Sequence, residues 1–158
     1  MYHSFVTPKR TIKKFKTKFG DVPLPVFFPD ATRAVIRTLD SVDIKNAKTL
    51  GILVNTYHLY KDLGKKVVEE HSGIRQFMSW EGGVISDSGG FQVMSLAKKG
   101  GSKGIITNDG VTFRPQGGEK IVLTPEKSIQ FQMVLKPDMV VVLDDFTEPG
   151  CAYEKAKE

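Results

Sequence analysis

The sequence predicts an α/β fold of the (β/α)8 TIM-barrel type, first half only, with an N-terminal antiparallel strand pair and an inserted β-hairpin. Three observations carry this reading. Short apolar runs of strand character alternate with helix signals, the pattern of a parallel sheet, either doubly wound or closed. Each proposed parallel strand ends in a polar residue: Asp30 after residues 26–29, Asn55 after 52–54, Asp87 after 84–86 and Asp144 after 140–143. In barrels, the C-terminal strand ends point into the active site, which favours the barrel. Finally, 158 residues supply about four strands, whereas an eight-stranded barrel typically takes about 250 residues. The chain also stops inside a helical pattern at residues 154–158, so a piece of a longer protein is expected.

Taken in order, residues 1–28 should give two N-terminal strands. Residues 11–19 alternate basic and apolar side chains, Gly20-Asp21 is a turn signal, and 24–28 follow among prolines. Asp40 or Ser41 can cap a helix with Ile44, Ala47 and Leu50 facing inward and Gly51 as its stop. Residues 52–54 are a buried strand. A longer helical region follows, with Leu63, Val67 and Phe77 as inward candidates, and then a strand at 83–86.

Residues 97–124 break the rhythm. Residues 97–104 read as a Gly/Lys loop, 105–107 and 111–113 flank the hairpin signal Asn108-Asp109-Gly110, and Gly117-Gly118 turns into a strand at 121–123. Thr124-Pro125-Glu126 then opens a helix, with a threonine cap, proline in the first turn and an early acid. Ile129 and Met133 share one face, and Pro137 is the stop. The apolar run 139–143 reads as a parallel strand covered on both faces. With only four strands, that run would also keep one unpaired edge.

Composition narrows the class. The chain is 40% hydrophobic and 26% charged, so it should fold. The longest apolar run is far too short to span a bilayer, and the first residues lack the apolar core of a secretory signal. A single cysteine, Cys151, forms no internal disulfide, and a reducing cytoplasm is the expected location. The net charge is +5, and six basic residues without an acid fall in residues 1–20. That segment is either a solvated edge strand guarded by lysines or a phosphate-facing arm.

The densest chemical signal is Ser86-Asp87-Ser88-Gly89-Gly90-Phe91-Gln92-Val93. A carboxylate at a strand end is followed by two glycines, which let backbone N–H groups approach a planar or anionic ligand, and by an aromatic face. The same residue types also make an ordinary Asp-Ser-Gly turn.

DSGGFQVMSL at residues 87–96 resembles the signature of the tRNA-guanine transglycosylases, or queuine tRNA-ribosyltransferases, in its bacterial and eukaryotic version. The likeness extends to NTYHL at 55–59, GVTFR at 110–114, LTPEKS at 123–128 and Asp144-Asp145, in the family's order and spacing, from about residue 15 onward.

The resemblance implies a TIM-barrel enzyme of the queuosine pathway that exchanges guanine at the tRNA wobble position for a 7-deazaguanine base by double displacement. It gives Asp87 the role of general acid/base, Asp144 that of reader of the guanine edge, and Phe91 that of stacking platform. Ser88, Gly89 and Gly90 line the base, and Gln92 and Asn55 belong to the substrate site. It implies tRNA (its anticodon loop) and guanine or a 7-deazaguanine as partners, and a dimer in the full-length enzyme. It also implies a structural zinc held by three cysteines and a histidine beyond residue 158, with the nucleophilic aspartate there too.

Cys151, His58 and His71 do not match that zinc site. His71 is expected on a helix surface, and His58 packed or hydrogen-bonded. Phe146 stands where bacterial relatives carry a cysteine, which puts the identity of the incoming base in question.

The chemistry fits these roles. The guanine edge offers two adjacent donors that one carboxylate can accept together. An aromatic face stabilises a stacked base by about 1–3 kcal/mol, and a positioned acid contributes roughly 10²–10⁴-fold. A wobble base must be splayed from its loop, and phosphates must be held meanwhile, for which residues 9–18 and Lys98, Lys99 and Lys103 are candidates. Two other readings stand beside this one. A non-catalytic partner subunit of a heterodimer would have less reason to retain Asp87, Phe91 and Asp144. An unrelated barrel enzyme binding phosphate at Ser88–Gly90 leaves the other motifs unexplained.

Overall fold

Strands β1 (Lys14–Thr17) and β2 (Gly20–Pro23) pair as an antiparallel hairpin. The structure is a computed structural model and describes residues 12–99, 105–114, 120–144 and 150–157. Lys9, Arg10, Lys103, Gly117, Gly118, Asp145 and Phe146 lie outside the described residues, as do the side chains of Lys98 and Lys99.

The hairpin turn falls on Lys18 and Phe19, not on Gly20-Asp21. Thr17 dictates it: its hydroxyl accepts from Phe19 N at 3.1 Å and donates to Gly20 O at 2.8 Å. The second strand is residues 20–23, and 24–28 form none, because prolines at 25 and 29 bring no N–H to a ladder.

Next comes α1 (Ser41–Asn46), opened by Asp40 in a capping box with Asp43. It is shorter than the sequence suggested. Ile44 is buried, but Ala47 and Leu50 are exposed, and Gly51 opens the following strand instead of stopping the helix. Lys48, at φ 55°, makes the stop.

Strands β3 (Gly51–Asn55) and β4 (Gly83–Asp87) run parallel in full register, and β8 (Met139–Val140) continues the sheet beside β4. On the other side a parallel bridge joins Asp30 to Leu53, with Ala31 N donating to Leu53 O at 2.7 Å. Four parallel segments thus lie side by side in chain order, and the sheet they form is open among the described residues.

One sheet face, carrying Ile52, Val54, Val84 and Ser86, is fully buried. It packs beneath α2 (Thr56–Asp62), α3 (Gly64–Glu70), α4 (Ile74–Met78) and α6 (Pro125–Leu135), which contribute Leu59, Val68, Ile74, Phe131 and Leu135. The helical region expected as one stretch is three short helices, and its buried valine is Val68, with Val67 only half covered. The opposite face, with Leu53, Ile85 and Met139 in register, is only partly covered.

Helix α5 (Gly90–Lys99) extends through residues expected to be loop. The antiparallel excursion is present as β5 (Ile105–Thr107), β6 (Gly110–Phe113) and β7 (Ile121–Leu123), in the order β5-β6-β7. Val111 and Leu123 form with Tyr57 and Val93 a second apolar cluster, which fastens the excursion to α2 and α5. A last helix, α7 (Tyr153–Lys157), follows.

Helix α6 starts as expected: Thr124 accepts from Lys127 N at 3.2 Å, with proline in the first turn. Its buried face, however, is Ser128, Phe131, Gln132 and Leu135, while Met133 is 64% exposed. It ends at Leu135 because Lys136 turns left-handed.

Residues 139–143 are the largest departure. The ladder is two residues long, and Met139, Val140, Val141 and Val142 are all exposed, so the run is not covered on both faces. It is the open edge of the sheet, and no further strand pairs with it among the described residues. No helix among them is long and apolar enough to cross a membrane.

Buried at the N-terminal end of this sheet is an ion pair. Arg75 on α4 meets Asp138, with side chains 9% and 2% exposed. The guanidinium also donates to Lys136 O at 2.6 Å and to Gly82 O at 3.2 Å, and it lies 5.2 Å from the Phe19 ring centroid. Asp138 in turn accepts from Val84 N at 2.9 Å and Lys18 N at 3.0 Å. One carboxylate therefore joins the hairpin, β4 and the approach to β8.

Candidate functional site

Asp87 closes β4, directly beside its register partner Asn55 at the end of β3. The Asn55 amide donates to Asp87 Oδ2 at 2.7 Å, while its own Oδ1 accepts from His58 N at 3.2 Å and so caps α2. A single side chain orients the carboxylate and starts the helix behind it.

The turn after Asp87 depends on its glycines. Gly89 has φ 77°, and a Cβ there would lie 2.5 Å from the Tyr57 Cβ. At Gly90 a Cβ would meet Asp144 Oδ1 at 3.2 Å and Leu143 Cδ1 at 3.1 Å. Bare backbone at these two positions lets α2 close against the turn on one side and Asp144 on the other. The buried Ser88 hydroxyl accepts from Gly90 N at 3.2 Å, and Gly89 O takes the first helical bond from Val93 N at 3.1 Å, so α5 begins within the turn.

Burial pushes the Asp87 carboxyl above its ordinary value. Hydrogen bonds from the Gly89 and Ser88 backbone hold it down, the charge of Asp144 raises it further, and the Asn55 amide opposes that. The balance keeps a proton available closer to neutrality than a free aspartate would. Replacing Asn55 by Ser keeps a capping oxygen and removes the amide donor. The Asp87 carboxyl should then titrate at higher pH than in the parent chain. Carbon-detected NMR titration of the aspartate side chains measures this, and an unchanged or lowered value would show that the Asn55 contact does not tune the acid.

Asp144 is exposed at the open edge, across Gly90 from the Asp87 turn. Beneath it, a cleft of about 250 Å³ runs under the β5–β6 hairpin, lined by Gly90, Val93, Asn108, Leu143 and Asp144. Phe91, in the first turn of α5, is 62% exposed. Gln92 is half-buried, and its Oε1 is enclosed with no hydrogen-bond partner among the described residues.

The structure thus brings together Asn55, Asp87, Ser88, Gly89, Gly90 and Asp144, with Phe91 and Gln92 at the start of the adjoining helix. It does not bring the described lysines of the N-terminal segment there. Lys14 and Lys16 belong to the hairpin beside Gly83, at the start of β4, whereas Asp87 ends it. Those positions are the two ends of a five-residue strand, roughly 13 Å apart at about 3.3 Å per residue step.

His71 caps the exposed end of α3, and its Nδ1 lies 2.8 Å from Val67 O. The His58 ring packs edge-on against Tyr57 at 5.2 Å, with a buried Nδ1 lacking a partner. Burial, with the charge of Arg33 behind it and that of Asp62 opposing, holds His58 below its ordinary value. Among the described residues, no group of three or more His, Cys, Asp or Glu side chains is placed to hold a metal ion.

A polar network behind Asp87 had no motif to announce it. The buried Ser86 hydroxyl donates to Gln132 Oε1 at 2.5 Å. Gln132 Nε2 donates to Ser128 Oγ at 3.2 Å and to Val141 O at 3.1 Å. Val141 N returns a bond to Ser86 O at 2.9 Å. The strand carrying Asp87 and the segment carrying Asp144 are thus tied through α6. The available signal was Ser128 and Gln132 four apart on one helix face.

Comparison with known proteins identifies the family. The family model described as queuine tRNA-ribosyltransferase matches residues 9–158. The chain is 40% identical over 146 residues to the queuine tRNA-ribosyltransferase of Natranaerobius thermophilus, covering 92% of this chain and 38% of that protein. It is 36% identical to that of Halothermothrix orenii over 146 residues, with the same two coverages. With that of Lactiplantibacillus plantarum it shares 42% identity over 130 residues, 82% of this chain and 33% of that protein. The chain thus spans roughly a third of the length of the curated relatives it matches.

Proposed function

We propose, from the premise that this chain belongs to the queuine tRNA-ribosyltransferase family, that it is the base-recognising and acid/base part of a tRNA base-exchange enzyme. The exchange replaces guanine at the wobble position with a 7-deazaguanine base. The observation that carries the reading is the approach of Asp144 to the Asp87 turn across a glycine where a side chain would intrude.

In this reading Asp144 accepts the two edge donors of guanine, and Phe91 stacks on the ring. Gly89 and Gly90 admit the plane of the base, with Ser88 and Gln92 beside it. Asp87, its proton retained by burial and by Asp144, protonates the departing guanine and later takes the proton from the incoming base. Asn55 holds the acid in place. The covalent ribosyl step needs a second carboxylate as nucleophile, which the family resemblance puts outside these residues. The four parallel segments in chain order, with polar residues at one end, support a barrel as the complete architecture. A dimer of the whole protein and a zinc site outside these residues belong to the same proposal.

Asp144 gives the test. In the whole enzyme, Asp144→Ala should raise KM for guanine about ten- to hundred-fold, since losing one partner of a charge-assisted pair costs about 1.5–3 kcal/mol. Affinity for tRNA should hold. Guanine-exchange kinetics alongside tRNA binding measure both, and collapse of tRNA binding with base affinity intact would remove Asp144 from the pocket.

A further inference from the structure

Little in the sheet holds Asp144 in place. The β4–β8 ladder ends at the pair Ser86 and Val140, and residues 141–144 continue without a strand partner among the described residues. Val142 is 65% exposed, and Asp144 is exposed as well. Along this segment the last backbone bonds among the described residues fall on Val141. Its N–H donates to Ser86 O at 2.9 Å, and its carbonyl accepts from Gln132 Nε2 at 3.1 Å.

Gln132 is fully buried on the inner face of α6, and its amide is engaged at both ends. Oε1 accepts from the hydroxyl of Ser86, one residue before Asp87. Nε2 donates to Val141 O and to Ser128 Oγ. The Ser128 hydroxyl in turn faces Ser88 O at 3.5 Å, one residue after Asp87. The order of protons fixes which way the amide points. Turned over, it would set Oε1 against the Val141 carbonyl, two acceptors with no hydrogen between them. Methionine would fill this core position at similar volume. What the amide adds is direction, since a satisfied buried network fixes one arrangement.

We propose that Gln132 is a positioning residue for base exchange, setting the spacing between the Asp144 carboxylate and the Asp87 acid; this rests on the reading above. A purine is rigid, so an edge reader and an acid that serve one base have to stand at a fixed separation. Asp87 is placed by β4 and by the Asn55 amide. Asp144 lies beyond the ladder, and Gln132 supplies the side-chain bond nearest to it along the chain. A misplacement of about 1 Å can lower a rate about 10²-fold with no contact to substrate removed.

The experiment measures guanine-exchange kinetics of the whole enzyme and three variants. Gln132→Met removes the amide at nearly constant volume. The double variant Gln132→Met/Ser86→Ala also removes the hydroxyl left without a partner. It should recover most of the lost stability, since replacing both partners by apolar groups is nearly neutral, and the partly exposed Val141 leaves its carbonyl to water. Val68→Ala weakens the same core without touching the network. Both Gln132 variants should raise KM for guanine and lower kcat, roughly tenfold each, with KM for tRNA unchanged. Val68→Ala should leave both KM values alone and lower the rate only in proportion to folded protein, read from thermal melts. A raised guanine KM in the double variant, whose melt has recovered, separates orientation from stability. If Gln132→Met does not fold, the double variant carries the same test. An unchanged guanine KM there, a rise matched by Val68→Ala, or a change confined to tRNA overturns the positioning role. A parent enzyme that exchanges no guanine overturns the base-exchange reading and this role together; normal parent exchange with an unchanged KM overturns this role alone.

Discussion

Asp87→Asn in the whole enzyme should abolish guanine exchange, lowering it by about 10²-fold or more, while the fold persists. The substitution is nearly isosteric and leaves the β3–β4 register and the Gly89-Gly90 turn untouched. It removes the one proton that the site is arranged to retain. The sign of the pH effect follows from the raised carboxyl. A folded-state value above the unfolded one means the native chain binds more protons between the two, so stability declines as pH rises through that window. The Asn variant lacks this decline. Its melting temperature should therefore vary less with pH across the range where Asp87 ionises. Labelled-guanine incorporation and melts across pH measure the two halves, and a variant keeping more than about a tenth of the exchange rate would show that Asp87 is not the acid.

Asp138→Ala should cost about 3–5 kcal/mol of folding stability, because it strands the Arg75 guanidinium without its carboxylate. The two side chains are 9% and 2% exposed, so water cannot easily replace the lost partner. Two backbone donors, Val84 N and Lys18 N, lose their acceptor in the same change. Replacing both charges together, Arg75→Met with Asp138→Leu, should cost much less than the single change suggests, since no buried charge remains. Urea unfolding of the three variants decides it. A loss below about 1 kcal/mol for Asp138→Ala would mean the pair is solvated in practice and does not anchor the hairpin.

Much of this architecture was legible in the residues. The strand core at 52–54, the Asp40 and Thr124 caps and the Asn108-Asp109-Gly110 hairpin each rest on local chemistry that acts wherever the segment goes. The place of Asp87 at a strand end was legible from the polar residue closing an apolar run, whereas its role came only from the family resemblance, since the same residue types also make an ordinary turn. The failures share a cause in long-range partners. Ile129 and Met133 fit helical spacing, yet the buried side of α6 is chosen by Ser86 and the Val141 carbonyl, which reward Gln132 and Ser128. The run 139–143 looked covered from its valines, but coverage depends on neighbours that its own sequence does not specify. Arg75 and Asp138 are 63 positions apart, and nothing near either one announces the other.

The parallel sheet has a fastened end and an end that carries the candidate site. Arg75, Asp138 and the hairpin secure one; Asn55, Asp87 and Asp144 occupy the other. The separation bears on how such a protein can change over generations. Substitutions around the candidate site can be tried without loosening the ion pair, and the ion pair can hold while the far loops drift. A lineage changing which base it accepts would be expected to vary first around Asp144 and the hairpin cleft, and last at Arg75 and Asp138. Inherited variation should then fall into two independent sets, one altering what is made and one altering how much folded protein there is to make it.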